Sequence, residues 1–163
     1  LALAQRNRTL HRNFQGYTTK AGADLYGMGV SAISGIGDAY AQNQRDAAHY
    51  AEAISARGLA TMRGSRLSPD DRIRRDVISR LLCHTIVHKD EIAREFGLRF
   101  DEYFAPELER LAPVAADGLV RLGPNTIEVV GLGRIFIRNV AMIFDPYLEQ
   151  QRLAERPLFS KTL

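Results

Sequence analysis

The sequence contains one cysteine, Cys83, in 163 residues. No internal disulfide can form, and no cysteine-rich metal centre can be built from this chain alone. A reducing, cytoplasmic setting fits that scarcity. Long apolar runs are also missing: Leu1-Ala2-Leu3-Ala4 is broken by Arg6 and Arg8, too soon for a signal peptide or a membrane span. With no methionine at its start, the chain reads as the tail of a longer protein. Charge of one sign does not dominate, since 22 Lys and Arg face 19 Asp and Glu, and a net charge of +3 does not by itself imply nucleic acid. Gly27-Met28-Gly29 and Gly35-Ile36-Gly37 lack the flanking spacing of a dinucleotide fingerprint or a phosphate loop, and close backbone packing is the plainer use of such glycines.

What is present is an ordinary globular composition, 45% hydrophobic and 25% charged, in a chain long enough to bury a core. One stretch near the start has the chemistry of a site. Arg12-Asn13-Phe14-Gln15-Gly16-Tyr17-Thr18-Thr19 puts a flat aromatic, a carboxamide, a phenol and two hydroxyls around one glycine. Leu25 to Ser34 follows, alternating small and apolar residues so that a ligand can lie close to backbone. We read it as a short buried strand and a glycine turn. Residues Leu1 to His11 form a basic approach, suited either to a solvated terminus or to contact with an anion.

From Gln44 the pattern becomes helical: Ala47, Tyr50, Ala51 and Ile54 recur at helical spacing and Gly58 stands where a cap belongs. Leu59 to Leu67 reads as extended. Ser68-Pro69-Asp70-Asp71 then gives an N-cap, a proline at the first helical position and two acids in the first turn. A short connection at 85–88 leads to a helix through Ile92, Ala93 and Phe96, stopped at Gly97. A third helix over 101–117 is broken or bent by Pro106 and Pro113. Leu119 to Leu122 and Thr126 to Val130 make a hairpin, and a last helix runs from Gly133 towards Tyr147, leaving a loose tail from Arg156.

Helix, short helix, helix, hairpin, helix is the order of a winged-helix module. The expected fold is therefore mainly α with a small β-hairpin, with a winged-helix-like core over about 68–145. Such a module raises an alternative function, contact with protein or nucleic acid. The charges oppose the nucleic-acid version: Asp101, Glu102, Glu107, Glu109 and Asp117 face only Arg110 in the helix that would read a groove.

Other candidate groups have plainer explanations. His84 and His88 have the spacing of two metal ligands on a helix, but they fall at a helix end with no Glu in an HExxH arrangement, so surface or capping roles are expected. Cys83 lies in an apolar run and reads as a buried small hydrophobe. Arg72, Arg74 and Arg75 among Asp70, Asp71 and Asp76 read as solvated ion pairs. Arg134 and Arg138 could hold carboxylates or pair with nearby acids. Phe14 and Gln15 differ, because an aromatic plane beside a carboxamide suits a flat ligand with polar edges.

The ordered strings Leu10 to Thr19, Asp24 to Ser34 and Tyr40-Ala41-Gln42-Asn43 closely resemble the oxygen-independent coproporphyrinogen III oxidase family. The likeness continues through Asp71 to Ile78, Tyr103-Phe104, Leu111-Ala112-Pro113, Asp117 to Val120 and Gly133-Arg134 to Arg138-Asn139. The resemblance implies a radical S-adenosylmethionine enzyme of haem biosynthesis that converts two propionates of coproporphyrinogen III to the vinyls of protoporphyrinogen IX. In that family a [4Fe-4S] cluster held by a CxxxCxxC motif cleaves S-adenosylmethionine, and the resulting radical abstracts hydrogen from a propionate. With Cys83 alone this chain cannot bind that cluster, so no catalytic or metal-binding residue is expected within it. The resemblance then implies two parts: 1–43 as the last segment of an open α/β, TIM-like barrel, and 44–163 as the helical C-terminal domain. Partners implied are coproporphyrinogen III and the upstream barrel of the same polypeptide, in a monomeric enzyme with no membrane. By position, Phe14 and Gln15 match family residues near substrate and S-adenosylmethionine, and Ile33 matches a contact to a second S-adenosylmethionine. Arg12, by our own inference, could meet a propionate.

Overall fold

The structure is a computed structural model and describes residues 1–148. It resolves into two compact units, Leu1–Arg72 and a second beginning at Ile73.

In the first unit a short helix α1 (Ala2–Arg6) precedes a hairpin of β1 (His11–Asn13) and β2 (Gly16–Thr18). A separate antiparallel sheet follows, in the order β3 (Ile33–Ile36), β4 (Ala39–Asn43), β5 (Thr61–Arg66). Helix α2 (Ala47–Arg57) joins β4 to β5. The Asp46 side chain accepts from the His49 N–H to cap its start, and Gly58, at φ 73°, closes its end in a conformation that a side chain would strain. The change of pattern at Gln44 is therefore a change of element inside one sheet. Because β5 returns to pair with β4 from Ala39↔Arg66 to Asn43↔Thr61, the compact units divide only between Arg72 and Ile73.

The buried strand expected over Leu25 to Ser34 starts only at Ile33; Leu25 makes a single bridge to Gly35 and the intervening residues form a loop. Side chains satisfy that loop's backbone in place of a ladder. Asn43 Nδ2 donates to the carbonyls of Gly27 and Gly29, both at 3.0 Å, and Gly27 N–H donates to Ser34 Oγ at 2.9 Å.

The boundary between units falls in the first turn of α3 (Pro69–His84). Its start is fixed reciprocally: Ser68 Oγ accepts from Asp71 N–H at 3.1 Å while Asp71 Oδ2 accepts from Ser68 N–H at 2.8 Å. Then come β6 (Ile86–His88), α4 (Lys89–Phe96), α5 (Phe100–Tyr103), α6 (Ala105–Ala116), β7 (Val120–Leu122) and β8 (Thr126–Val129). A 3₁₀ turn at Gly131–Arg134 and α7 (Ile137–Met142) complete the described residues' main elements. The expected single hairpin is thus part of a three-stranded antiparallel sheet ordered β6-β8-β7. The connection at 85–88 contributes its third strand, too short to show alternation in sequence. The expected helix over 101–117 is two helices: Pro106 lies in the first turn of α6, where its missing N–H does no harm, and Pro113 stays inside that helix. The loose tail expected from Arg156 lies outside the described residues.

This unit has a continuous core from α3, β6, α4, α5, α6, β7, β8 and α7, in which Val77, Leu81, Ile92, Phe104, Leu111, Ile127 and Phe144 are buried. Phe104 is packed edge-on against Tyr103 and Phe144, with centroids at 4.9 and 5.4 Å. The charged face of α3 is less solvated than its composition suggests. Arg74 meets the buried Glu107 at 2.8 Å and lies over the Phe104 ring, while Arg80 reaches Asp76, Glu91 and Glu95 at 2.7, 2.6 and 2.7 Å and so ties α3 to α4.

Candidate functional site

Phe14 and Gln15 form the two-residue tip of the β1–β2 hairpin. The tip is bent by Asn13, whose Oδ1 accepts from the Gln15 N–H at 2.9 Å, and by Gly16 at φ 127°. Both tip side chains are exposed. The Phe14 ring packs edge to face with Tyr40 on β4 at 5.1 Å and 87°. Arg12 sits opposite Tyr17 across the hairpin, its guanidinium 5.9 Å from the centre of that ring.

Ile33 begins β3 and is half-buried. A Cβ added at Gly27 would meet the Ile33 carbonyl carbon and oxygen at 2.8 Å, so only glycine lets the 25–32 loop lie on the Ile33 backbone. Register joins these positions. Ile33 lies opposite Gln42 and Gly35 opposite Tyr40, and residues two apart on a strand share a face, so Ile33 and Tyr40 face the same side of the sheet. Three of the sequence-derived residues are thereby linked: Phe14 and Gln15 through the Phe14 contact with Tyr40, and Ile33 through the sheet on which Tyr40 lies. Arg12 stays on the hairpin, with its ring partner Tyr17. Tyr40 was visible in sequence only as part of a matched string, since a long-range ring contact has no local signature.

The remaining candidates lie in the second unit. Cys83 is completely buried, as expected of a small hydrophobe. His84 ends α3 and His88 lies in β6, both half-buried, and among the described residues no group of three His, Cys, Asp or Glu is placed to hold a metal. Arg134 and Arg138 fall in separate elements, the 3₁₀ turn and α7. A shallow cavity of about 260 Å³ is lined by Lys89, Phe100, Asp101 and Asn125 among others; Lys89 is already engaged by Asp101 at 2.7 Å, and no residue of the opening stretch lines it. Within α6, Glu107 takes up Arg110 at 3.1 Å, which leaves that helix without a cationic face for phosphates. Among the described residues no helix is long and apolar enough to cross a membrane.

Residues 67–136 match the family model of the HemN C-terminal domain. The whole chain is 49% identical to oxygen-independent coproporphyrinogen III oxidases of Salmonella typhimurium and of Escherichia coli. It is similar to the C-terminal portion of those enzymes. The chain spans about a third of those relatives' length, 35% in each case. A solved Escherichia coli structure, described as coproporphyrinogen III oxidase (HemN), a radical SAM enzyme, superposes with a TM-score of 0.88 at 51% identity, over 90% of this chain and 34% of that one. The HemN C-terminal domain match begins just after β5, so Phe14, Gln15 and Ile33 lie outside it yet inside the region shared with the oxidases.

Proposed function

We propose that this chain is the substrate-side portion of an oxygen-independent coproporphyrinogen III oxidase. The carrying observation is the 49% identity to such enzymes over all 163 residues, which includes the opening stretch as well as the C-terminal domain. The reaction is an oxidative decarboxylation of two propionates of coproporphyrinogen III. Each propionate loses carbon dioxide, one proton and two electrons and becomes a vinyl.

The residues present do not fit the [4Fe-4S] cluster of such an enzyme. Its three thiolates would have to come from elsewhere in the polypeptide, because Cys83 is alone and buried. They do fit S-adenosylmethionine. An exposed ring and carboxamide suit an adenine or tetrapyrrole plane with polar edges, and the glycine loop on Ile33 admits a ligand close to backbone. When bound, that cofactor supplies the hydrogen-abstracting chemistry. The role of Phe14, Gln15 and Ile33 is to bind and orient, and Arg12 is suited to a propionate through a charge-assisted pair. We read 1–43 as the last segment of an open barrel, and about 68–145 as a winged-helix-like core, a reading supported by the order α3, β6, α4, α6, β7, β8 with β8 central in its sheet.

The test is Gln15→Ala in the protein that carries this chain, purified anaerobically. Turnover of coproporphyrinogen III is expected to fall at least about tenfold, the size of a lost hydrogen bond to a polar ligand edge. Full activity would remove the site assignment.

A further inference from the structure

We propose that Arg63 is a carboxylate-binding residue of this same site, taking either a propionate of the tetrapyrrole or the amino-acid carboxylate of S-adenosylmethionine. The inference rests on the functional reading above.

Register sets Arg63 in line with the site. Across the sheet Ile33 lies opposite Gln42 and Gln42 opposite Arg63, with Gly35, Tyr40 and Ser65 forming the next row on the same face. Phe14 packs on Tyr40, so Arg63 shares a face with two of the groups that the opening stretch depends on. The guanidinium is oriented by a neutral partner: its Nε donates to Gln42 Oε1 at 2.9 Å, and Gln42 Nε2 donates in turn to the Ser31 carbonyl at 3.2 Å, within the loop that lies on Ile33. That relay fixes one edge of the planar fork and leaves the two terminal nitrogens for a bidentate acceptor. Among the described residues Arg63 has no ion pair, whereas Arg72, Arg74 and Arg80 each meet a carboxylate. An exposed, pre-oriented arginine held by an amide has its charge available for a ligand.

The experiment uses the complete protein with Arg63→Ala and Gln42→Glu, and titrates each with coproporphyrin III by fluorescence and with S-adenosylmethionine by equilibrium dialysis. Arg63→Ala is expected to weaken one of the two ligands at least about tenfold, as loss of a charged hydrogen-bond pair does, and the titration affected identifies the carboxylate. Gln42→Glu discriminates a binding role from a structural one. A carboxylate there pairs better with Arg63, neutralises the fork and is expected to weaken the same ligand. The bond to the Ser31 carbonyl that it also loses is controlled by Gln42→Met, which breaks both amide contacts but leaves the Arg63 charge free and is expected to weaken that ligand less. Gln42→Glu is nearly isosteric, so it carries the test if Arg63→Ala does not fold. Unchanged binding of both ligands to the Gln42→Glu protein overturns the inference. Wild-type protein that fails to convert coproporphyrinogen III sinks the functional reading; active wild-type with unaffected variants sinks only the role of Arg63.

Discussion

The two compact units put their apolar residues to opposite uses. From Ile73 onward, Val77, Leu81, Ile92, Phe104, Leu111, Ile127 and Val129 have no exposed surface. In Leu1–Arg72 the buried hydrophobics are Ala4, Leu10, Ala53 and Ala60, three of them alanines, while Leu3, Tyr26 and Met28 are 69%, 65% and 89% exposed. Every residue of β5 is exposed. Since burial of apolar surface is the main favourable term in folding, the second unit carries its own stability. The first is held by a dense set of hydrogen bonds around Asn43, Ser34 and Asp24, and its large side chains remain available as a surface.

Truncating one phenyl ring in each unit should expose the difference. Phe104→Ala removes a fully buried side chain at the centre of an aromatic cluster and is expected to destabilise the protein by about 3–5 kcal/mol. Phe14→Ala removes a ring that is 52% exposed with one aromatic neighbour, and about 1 kcal/mol is the expected loss. Urea unfolding of both variants measures this. Equal losses would mean that the first unit has a core of its own and would break the contrast.

Gly27→Ala comes next in size. The new methyl would lie 2.8 Å from the Ile33 carbonyl, and because the neighbour is backbone it cannot rotate away. The loop must lift, at a cost of about 1–3 kcal/mol. Binding of S-adenosylmethionine should fall with it while the second unit's unfolding is unchanged. Unaltered binding would dissociate the 25–32 loop from the site.

What the sequence made legible follows the same division. Helix ends were readable because their signals are local: Ser68-Pro69, Gly58 and Gly97 all stand at observed boundaries. Of the candidate site residues, Phe14 and Gln15 were nameable from an aromatic beside a carboxamide and Arg12 from its charge, but Ile33 only by resemblance, since none of them stands out by periodicity. Their arrangement was not legible at all. The contact of Phe14 with Tyr40 and the row Ile33, Gln42, Arg63 depend on long-range packing and strand register, the row across 29 intervening residues that include all of α2. The loop at 25–32 was misread as strand because its backbone is satisfied by side chains from Asn43 and Ser34, which no local pattern reports.

The smallest effect concerns how the first unit holds its one long helix without a core to press it. His49, in the first turn of α2, would ordinarily be disfavoured as a cation there by the positive end of the helix dipole. The hydrogen bond from its Nδ1 to Asp46 Oδ2 at 2.7 Å, helped by the charge of that carboxylate, outweighs this and raises its pKa above the ordinary value. Asp46 in turn is lowered, first by the His49 N–H that it accepts and then by the ring. A raised histidine stabilises the fold fully below its unfolded value, about 6.5, and the contribution fades as pH climbs through the folded one. A lowered aspartate contributes above its unfolded value, about 3.9, and is lost as pH drops through the folded one. Both act together only between those limits. An NMR titration of His49 should therefore show a midpoint above that of a free histidine, returning to the ordinary range in Asp46→Asn. A midpoint at or below about 6.5 in the unaltered protein would mean that the helix dipole prevails and that α2 is held without the pair.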